Sequence, residues 1–287
     1  MSVEARSHQD RLVEALRELS SCVVAFSGGV DSAVVAKAAQ VALGDRAVAV
    51  TGTSASLADG ELETAQRIAR AIGIRHETVA TEELADAGYL ANQPNRCWHC
   101  KDELYGQLEP LAERWGCRWI VNGANADDLG DFRPGLKAAA EHRVRSPLAE
   151  CGFDKSTVRQ LARHWDLEVW DKPATPCLSS RLVYGLEITP ERLERIDRAE
   201  QLLRELGLST VRVRYHHDDL ARLEVTVSDL PTLCSGEVRE RVIARLRELG
   251  FRYVTVDLEG FRSGSFQQLV PADELLQGHT SPRSCLG

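Results

Sequence analysis

Short apolar runs alternate with helical repeats along the first part of the chain. The runs at residues 22–26 and 47–50 are apolar and rich in β-branched residues, which is typical of buried strands. Between them, apolar residues recur at helical spacing and stop at Gly44, a common position for glycine after a helix. A strand, a helix and a second strand in this order predict a parallel sheet.

The same alternation continues to residue 121. Each of the two further predicted helices is followed by a glycine, Gly73 or Gly116. These helices and the strands that follow them are predicted at residues 61–72, 76–79, 102–115 and 119–121. We therefore expect an α/β fold, a doubly wound parallel sheet with its site at the carboxyl ends of the strands.

The pattern changes near residue 173, where Pro173 and Pro176 forbid a continuing helix. We place a boundary there and expect domains at residues 1–173 and 174–287. Beyond it, the pattern predicts a helix, two strands, a helix and a strand at residues 190–206, 210–215, 222–227, 237–249 and 252–257. This order indicates a second, smaller α+β domain.

The composition is that of a globular chain. Of the 287 residues, 43% are hydrophobic and 27% are charged, which supplies a core and excludes a disordered or fibrous protein. No apolar run approaches the roughly 18 residues of a membrane span, and the N-terminus has no apolar segment of the kind found in signal peptides. We expect a cytoplasmic protein with no membrane partner.

Charge and cysteine content narrow the class further. Lys and Arg number 35 against 43 Asp and Glu, and the formal net charge is −8. The chain has no basic block, so we expect no nucleic-acid partner. The eight cysteines are sparse for a secreted disulfide scaffold, and in a reducing compartment they indicate packing, metal ligands or reactive thiols.

The hexapeptide Ser-Gly-Gly-Val-Asp-Ser at residues 27–32 joins a predicted buried strand to a predicted helix. Its two glycines allow a ligand to approach the backbone closely, and a helix N-terminus offers N–H groups to an anion. The string lacks the lysine of a Walker A loop and the spacing of a dinucleotide fingerprint. We interpret it as a cradle for phosphate or pyrophosphate rather than a simple strand-to-helix turn.

This hexapeptide resembles the PP-loop of the ATP pyrophosphatases, which cleave ATP to AMP and pyrophosphate while adenylating a substrate. The resemblance implies an adenine nucleotide alpha hydrolase-like fold that uses ATP and Mg²⁺. The residues that it implies for the pyrophosphate are Ser27, Gly28, Gly29, Asp31 and Ser32, with Asp31 near Mg²⁺. Those implied for the rest of ATP are Ala25, Phe26, Thr51 and Gly123.

Three further strings extend the resemblance almost from end to end: Pro-Cys-Leu-Ser-Ser-Arg at 176–181, Val-Arg-Val-Arg at 211–214 and Asp-Leu-Glu-Gly-Phe-Arg-Ser-Gly-Ser at 257–265. They are most similar to the LarE sulfur transferases, which make the thiocarboxylates of the nickel-pincer nucleotide used by lactate racemase. The resemblance implies that Cys177 lies at the sulfur-transfer site. It also implies a homo-oligomer, and a site for the phosphate of the mononucleotide substrate at Ser180, Arg212 and Arg214.

Cys97 and Cys100 form a C-x-x-C in a predicted loop that opens a helix. Thiolates at this spacing can share a metal or a cluster. The resemblance implies two LarE subclasses, one with three cysteines around a [4Fe-4S] cluster that carries the donor sulfide, the other with one cysteine that gives up its own sulfur. Cys97, Cys100 and Cys177 favour the first subclass. A redox-inert loop or a structural zinc site stays open for the pair.

Other candidates have simpler expectations. We expect His99 to be exposed and Glu200 to be a surface acid on a charged helix. Arg212 and Arg214 alternate on a predicted strand and so share one face, which suits either a phosphate site or a solvated strand face. Packing is expected for Cys22, Cys117 and Cys234, and no role is readable for Cys151 and Cys285.

The expected activity is an ATP-dependent sulfur transfer. The enzyme would adenylate the carboxylates of pyridinium-3,5-biscarboxylic acid mononucleotide and convert them to thiocarboxylates, with a [4Fe-4S]-bound sulfide as the donor. A tRNA thiolase and an ammonia-using PP-loop ligase are alternatives within the superfamily. An alternative from another class is a module that binds ATP without cleaving it.

Overall fold

A computed structural model of the chain describes residues 3–130 and 133–262. Its contacts form two compact units, Met1–Tyr89 with Asn95–Cys177, and Leu90–Pro94 with Leu178–Gly287. The division into domains between residues 173 and 174 stays a prediction. Cys285 and the last three residues of the closing string, 263–265, lie outside the described residues.

The first unit contains a parallel sheet in the order β3-β2-β1-β4. Its strands are β1 (Cys22–Ala25), β2 (Ala47–Thr53), β3 (Arg75–Ala80) and β4 (Trp119–Val121). Its helices are α1 (Val3–Arg17), α2 (Val30–Leu43), α3 (Glu61–Ile72), α4 (Ala87–Leu90), α5 (Arg96–Arg114), α6 (Pro134–Glu141), α7 (Pro147–Glu150) and α8 (Lys155–His164). The α/β fold with a parallel sheet is confirmed.

Successive residues of the central strands pack on opposite faces of this sheet. Val24 and Ala49 lie in one hydrophobic cluster with residues of α1, α2, α3 and α8. Val23 and Val48 lie in a second cluster with residues of α5 and α6. Because both faces are buried, the strands have continuous apolar sequences rather than alternating ones.

The helix that carries the C-x-x-C begins earlier than predicted. It starts at Arg96 rather than residue 102, so Cys97 and Cys100 lie in its first turns and not in a loop. Pro94 precedes the helix and Trp98 and His99 break the apolar pattern, which hides its beginning in the sequence. The two cysteines are therefore held by helical backbone.

The second unit contains a mixed sheet in the order β5-β6-β7, antiparallel between the first two strands and parallel between the last two. Its strands are β5 (Val211–His216), β6 (Leu220–Val225) and β7 (Tyr253–Val256), and its helices are α9 (Pro190–Glu205), α10 (Leu230–Leu233) and α11 (Gly236–Glu248). The hydroxyl of Thr189 accepts from the Arg192 N–H at 3.3 Å and caps α9. The smaller α+β part is also confirmed.

A short excursion of the chain, Leu90–Pro94, belongs to the second unit. Asn92 has a φ of 50°, and its Nδ2 donates to the carbonyls of Val183 and Leu186, each at 2.9 Å. The N–H of Gly185 donates to the Asn92 carbonyl at 3.0 Å. The hydrophobic pattern does not predict this excursion, because polar side-chain bonds to backbone hold it.

Among residues 3–130 and 133–262, no helix combines the length and apolar character that crossing a membrane requires.

Candidate active site

The PP-loop hexapeptide lies at the carboxyl end of β1 and runs into α2. Gly28 has a φ of 70°, a left-handed conformation that strains any residue with a side chain. A Cβ atom added there would lie 3.0 Å from Cα of Ala65 in α3. Gly29 is the N-cap of α2 and has no side chain to occupy the first-turn N–H groups. The loop therefore presents backbone to an anion, as the motif predicts.

The serine hydroxyls of the loop bond mainly to the loop itself. Ser32 Oγ donates to the Gly29 carbonyl at 3.1 Å and accepts from the Ser27 N–H at 3.3 Å. The Ser27 and Ser32 hydroxyls lie 3.2 Å apart. Ser32 is also buried. Both serines thus stabilise the conformation of the loop.

Asp31 faces the segment that follows β4. Asn125 Nδ2 donates to Asp31 Oδ1 at 2.9 Å, and the buried Asp128 accepts from the Asn125 N–H at 3.2 Å. Burial raises the pKa of Asp31, the hydrogen bond from Asn125 opposes this, and the Asp128 charge adds to the rise. Asp128 also pairs with Arg133 at 2.8 Å, so Asp31 is the carboxylate of the two that could hold a cation.

Mg²⁺ prefers oxygen ligands and keeps several waters. Among the described residues, no three His, Cys, Asp or Glu side chains come together as a metal site. Asp31 therefore suits an ion that takes its other ligands from phosphate oxygens and water, which is the usual setting of Mg²⁺ on a nucleotide.

The residues implied for the adenosine lie at the ends of β1 and β2. Thr51 Oγ1 donates to the Phe26 carbonyl at 2.8 Å and lies 2.8 Å from His76 Nε2. The Phe26 and His76 rings meet edge to face, with centroids 5.8 Å apart. Burial lowers the pKa of His76, which keeps the imidazole neutral at pH 7. Sequence reasoning missed His76, because one histidine on a predicted strand gives no distinguishing signal.

Cys97, Cys100 and Cys177 all belong to the first unit. Cys97 is exposed, and the other two are half-buried. Burial raises the pKa of Cys100 to about 12, Lys101 opposes this, and Cys177, Glu83 and Cys97 add to it. Cys177 is distant in sequence from the C-x-x-C, yet it is close enough to Cys100 for their charges to interact.

Lys101 lies beside the three thiols and was missed by sequence reasoning. Burial alone would lower the pKa of Lys101, yet Tyr105 and the three cysteines raise it. The methylene chain packs where a Cβ of Gly135 would lie, 3.1 Å from Lys101 Cγ. The positive charge of Lys101 thus lies near the sulfur atoms. In the sequence, its position directly after Cys100 is the one sign that predicts this.

Thiolates are the usual ligands of zinc and of iron-sulfur clusters. Among the described residues, Cys97, Cys100 and Cys177 do not come together as a site for one metal ion. The ammonium of Lys101 would offset part of the negative charge of such a thiolate-ligated group.

His99 is not exposed as expected. Its side chain is 17% exposed, and Nδ1 lies 2.6 Å from Asp86 Oδ2. The ring covers Gly88, where a Cβ atom would lie 2.1 Å from His99 Cε1. Asp86 also accepts from the Gly88 N–H at 2.7 Å. His99 therefore fastens the start of α5 to the segment before it.

Glu83 is a further buried acid that sequence reasoning missed. It is 2% exposed, and its Oε1 accepts from Ser54 Oγ at 2.5 Å and from Ser56 Oγ at 2.9 Å. Its charge adds to the raised pKa of Cys100, so it lies on the side of the thiols. A single Glu in a predicted loop carries no pattern that would reveal its burial.

In the second unit, Glu200 is completely buried, so the expectation of a surface acid was wrong. It accepts from Arg181 Nε at 3.0 Å and Nη2 at 3.1 Å, a bidentate pair. It also accepts from Arg204 at 2.9 Å and from the Val213 N–H at 3.1 Å. The acid joins α9 to the 3₁₀ turn Leu178–Arg181 and to β5.

Arg212 and Arg214 are each 6% exposed, so a solvated strand face is wrong as well. Arg214 pairs with the buried Glu224 at 2.8 Å and donates to the Ser180 carbonyl at 3.1 Å. Burial lowers the pKa of Arg212 to about 10, and the positive charges of Arg181 and Arg214 contribute. These buried guanidinium groups crowd one another, which favours an anion beside them.

A family model described as NAD synthase matches residues 7–100, which include the PP-loop. An uncharacterised protein of Synechocystis is 46% identical over 92% of this chain and 98% of its own length. The pyridinium-3,5-bisthiocarboxylic acid mononucleotide synthase of Lactiplantibacillus plantarum is 38% identical over 92% of this chain and 95% of its own length. The chain belongs to the LarE family of ATP-dependent sulfurtransferases.

The chain is also similar, over a shorter length, to a second enzyme whose name indicates sulfur chemistry. A tRNA-specific 2-thiouridylase of Xanthobacter autotrophicus is 33% identical, over 53% of this LarE-family chain and 48% of its own length. Both shares are far below those of the synthase. The LarE match includes the second unit and its arginines, whereas about half of the chain lies outside the thiouridylase match.

The remaining cysteines of this LarE-family protein differ in their surroundings. Cys22 and Cys151 are buried, and Cys117 is half-buried. Cys234 is exposed, so the packing role expected for it was wrong. It follows α10, a short helix at the surface of the second unit. None of these described cysteines forms a disulfide with another.

Proposed function

We propose that the protein converts the carboxylates of pyridinium-3,5-biscarboxylic acid mononucleotide to thiocarboxylates at the expense of ATP. The observation that carries the proposal is the gathering of Cys97, Cys100 and Cys177 in the unit that holds the PP-loop. An ammonia-using ligase and a non-catalytic ATP-binding module would need no such thiols. The L. plantarum relative, named for a bisthiocarboxylic product, supports the substrate.

Adenylation is the first step. A substrate carboxylate oxygen attacks the α-phosphorus of ATP, the bond to the bridging oxygen breaks, and pyrophosphate leaves with its electron pair. The N–H groups at the start of α2 and an ion at Asp31 would stabilise the negative charge that develops on pyrophosphate. Thr51, Phe26 and Ala25 would form the wall beside the adenosine.

Sulfur attack on the carbonyl carbon of the acyl adenylate then displaces AMP and leaves a thiocarboxylate. Cys97, Cys100 and Cys177 would hold a [4Fe-4S] cluster, which when bound would supply the donor sulfide. Lys101 would stabilise the negative charge on the thiolates and on the carbonyl oxygen during attack. Two cycles give a product with two sulfurs.

The phosphate of the mononucleotide is proposed to bind at Ser180, Arg212 and Arg214. The two guanidinium groups are buried, and Arg181 adds positive charge nearby. Buried arginines beside carboxylates keep a defined geometry, which suits a dianion better than mobile surface side chains do. Glu224 would hold Arg214 in place and Glu200 would hold Arg181, and neither acid would contact the substrate.

The test is anaerobic incubation with ATP, Mg²⁺ and the mononucleotide, followed by mass spectrometry of the nucleotide and of the intact protein. Thiocarboxylate with unaltered protein supports a cluster-carried sulfide. Product accompanied by dehydroalanine at Cys177 would make the protein a single-use donor and assign Cys97 and Cys100 to structure. Formation of neither product nor pyrophosphate would refute the proposal.

Variants separate the two half-reactions. Cys177→Ala is expected to retain pyrophosphate release and lose thiocarboxylate formation, and retained sulfur transfer would remove Cys177 from its role. Cys97→Ser or Cys100→Ser is expected to reduce iron in anaerobically prepared protein. Cys234→Ser, at an exposed cysteine of the second unit, is the control that should keep its iron.

A tRNA thiolase is the second candidate, favoured by the partial match to the thiouridylase. It predicts a gel shift with tRNA that weakens steeply with added salt. Absence of a shift, together with turnover of the mononucleotide, would exclude it.

A further inference from the structure

The segment that leads to Cys177 is fastened to α3. Glu61 is the first residue of that helix, and its Oε2 accepts from Lys172 Nζ at 2.8 Å and from Thr175 Oγ1 at 3.2 Å. Both donors come shortly before Cys177 in the chain. One carboxylate oxygen therefore holds the chain at two points next to the thiol.

This contact is shielded and favourably placed. The side chains of Lys172 and Glu61 are 20% and 21% exposed, so salt screens the pair less than it screens a surface pair. Glu61 also lies in the first turn of α3, where the helix N-terminus stabilises a carboxylate.

Backbone restraints limit the freedom of the same segment. Arg159 of α8 donates to the carbonyls of Trp170 at 2.7 Å and Lys172 at 3.3 Å. Pro173 and Pro176 each have a fixed φ. With Lys172 and Thr175 held by Glu61, little rotation is left before Cys177.

The opposite end of this connection is the PP-loop. Ala65 follows Glu61 by one helical turn, so the two lie on the same face of α3. A Cβ atom added at Gly28 would lie 3.0 Å from Cα and 3.1 Å from Cβ of Ala65. One face of α3 therefore contacts both the loop proposed to bind ATP and the segment of the proposed sulfur-transfer cysteine.

We propose that Glu61 is a positioning residue for sulfur transfer, holding the Cys177 segment at a fixed place relative to the PP-loop. Glu61 touches neither reacting atom, and it acts through Lys172 and Thr175. The inference rests on the proposed function. Because a displacement of about 1 Å between reacting groups costs about a hundredfold in rate, loss of this contact should slow sulfur transfer and leave adenylation intact.

The experiment compares Glu61→Met with Glu63→Met, an exposed acid in the same first turn. Methionine has no oxygen that could accept from Lys172 or Thr175, whereas glutamine would keep one. Three quantities are measured: pyrophosphate release, thiocarboxylate formation, and the rate at which iodoacetamide alkylates Cys177 in metal-free protein, located by mass spectrometry. In Glu61→Met we expect pyrophosphate release within about twofold of wild type, transfer slower by about tenfold or more, and a changed alkylation rate. Glu63→Met should match wild type in all three.

Lys172→Arg retains the charge and should retain transfer, whereas Lys172→Met should behave as Glu61→Met. Unchanged alkylation and transfer in Glu61→Met would overturn the proposal. Equal losses of pyrophosphate release and transfer would overturn it too, since that pattern reports damage to the PP-loop. If wild type forms neither product nor pyrophosphate, the proposed function fails, and the alkylation rates alone still decide whether Glu61 holds Cys177.

Discussion

Gly123 lies against the backbone of Ser32, so that a Cβ atom at Gly123 would be 2.7 Å from the Ser32 nitrogen. The segment after β4 thus meets the first turn of α2 through backbone alone. Gly123→Ala is expected to displace that turn, and restoring it costs about 1–3 kcal/mol. Because ATP binding would have to restore the turn, the ATP affinity should fall about 5- to 150-fold. Calorimetric titration with a non-hydrolysable ATP analogue measures it.

The control for this substitution is Gly106→Ala in the middle of α5, where a Cβ atom would meet no other atom within 4 Å. That variant should bind the analogue as wild type does. Unaltered affinity in Gly123→Ala would remove Gly123 from the nucleotide site.

The thiol of Cys100 should react slowly at neutral pH. Its pKa is raised to about 12, mainly by burial, so little thiolate is present at pH 8. In metal-free protein, iodoacetamide should therefore alkylate the exposed Cys97 first, and alkylation of Cys100 should accelerate about tenfold per pH unit up to pH 11. Peptide mass spectrometry at pH 8, 9 and 10 follows both sites. Equal rates at pH 8 would contradict the expectation.

Lys101 lowers the pKa of Cys100, so Lys101→Met should slow its alkylation further. Lys137→Met, at an exposed lysine of α6, should leave the rate unchanged.

Glu200 neutralises two arginines inside the second unit. Glu200→Gln leaves Arg181 buried without its carboxylate, which is expected to cost about 3–5 kcal/mol of folding free energy. Urea unfolding measures the loss. Glu205→Gln, at an exposed position of the same helix, should unfold as wild type does. A loss no greater than that of the control would show that Arg181 finds another partner.

His142 should make stability depend on pH. Burial opposes its charge, but hydrogen bonds to Asp102 and Glu109 of α5 prevail and raise its pKa above 6.5. The resulting stabilisation is fully present below the unfolded-state pKa, near 6.5, and is lost as pH rises through the higher folded-state pKa. His142→Gln should reduce the fall in melting temperature between pH 6 and 8. An identical fall in the variant would assign it to other groups.

The sequence predicted the elements of the first sheet well because burial on both faces leaves apolar runs that stand out from their surroundings. The sequence did not predict which charged side chains are buried. Arg181 and Glu200 are far apart in the chain, and only folding brings them together, so each looks like a surface residue in its own segment. Sequence reasoning also missed Lys101, His76 and Glu83, because a single polar residue forms no repeating pattern.

The sequence predicted which residues form the motifs and where they lie in the fold, but not which atoms they contact. The PP-loop string indicates an anion cradle, yet it does not reveal that Ser32 bonds to Gly29 and Ser27 within the loop. Likewise the C-x-x-C gives the spacing of two thiols, whereas the family resemblance groups Cys177 with them. In the structure, Cys177 is close enough to Cys100 to raise its pKa. The proposed homo-oligomer stays a prediction.

The excursion Leu90–Pro94 complicates the production of the first unit as a separate fragment. A fragment ending at residue 177 would contain Asn92 but none of the Val183, Gly185 and Leu186 backbone groups that bond to it. Without these bonds, nothing from the second unit would fix the conformation of residues 90–94 in the fragment. An isolated first unit therefore calls for a second edit, a short flexible linker in place of residues 90–94, besides the C-terminal truncation.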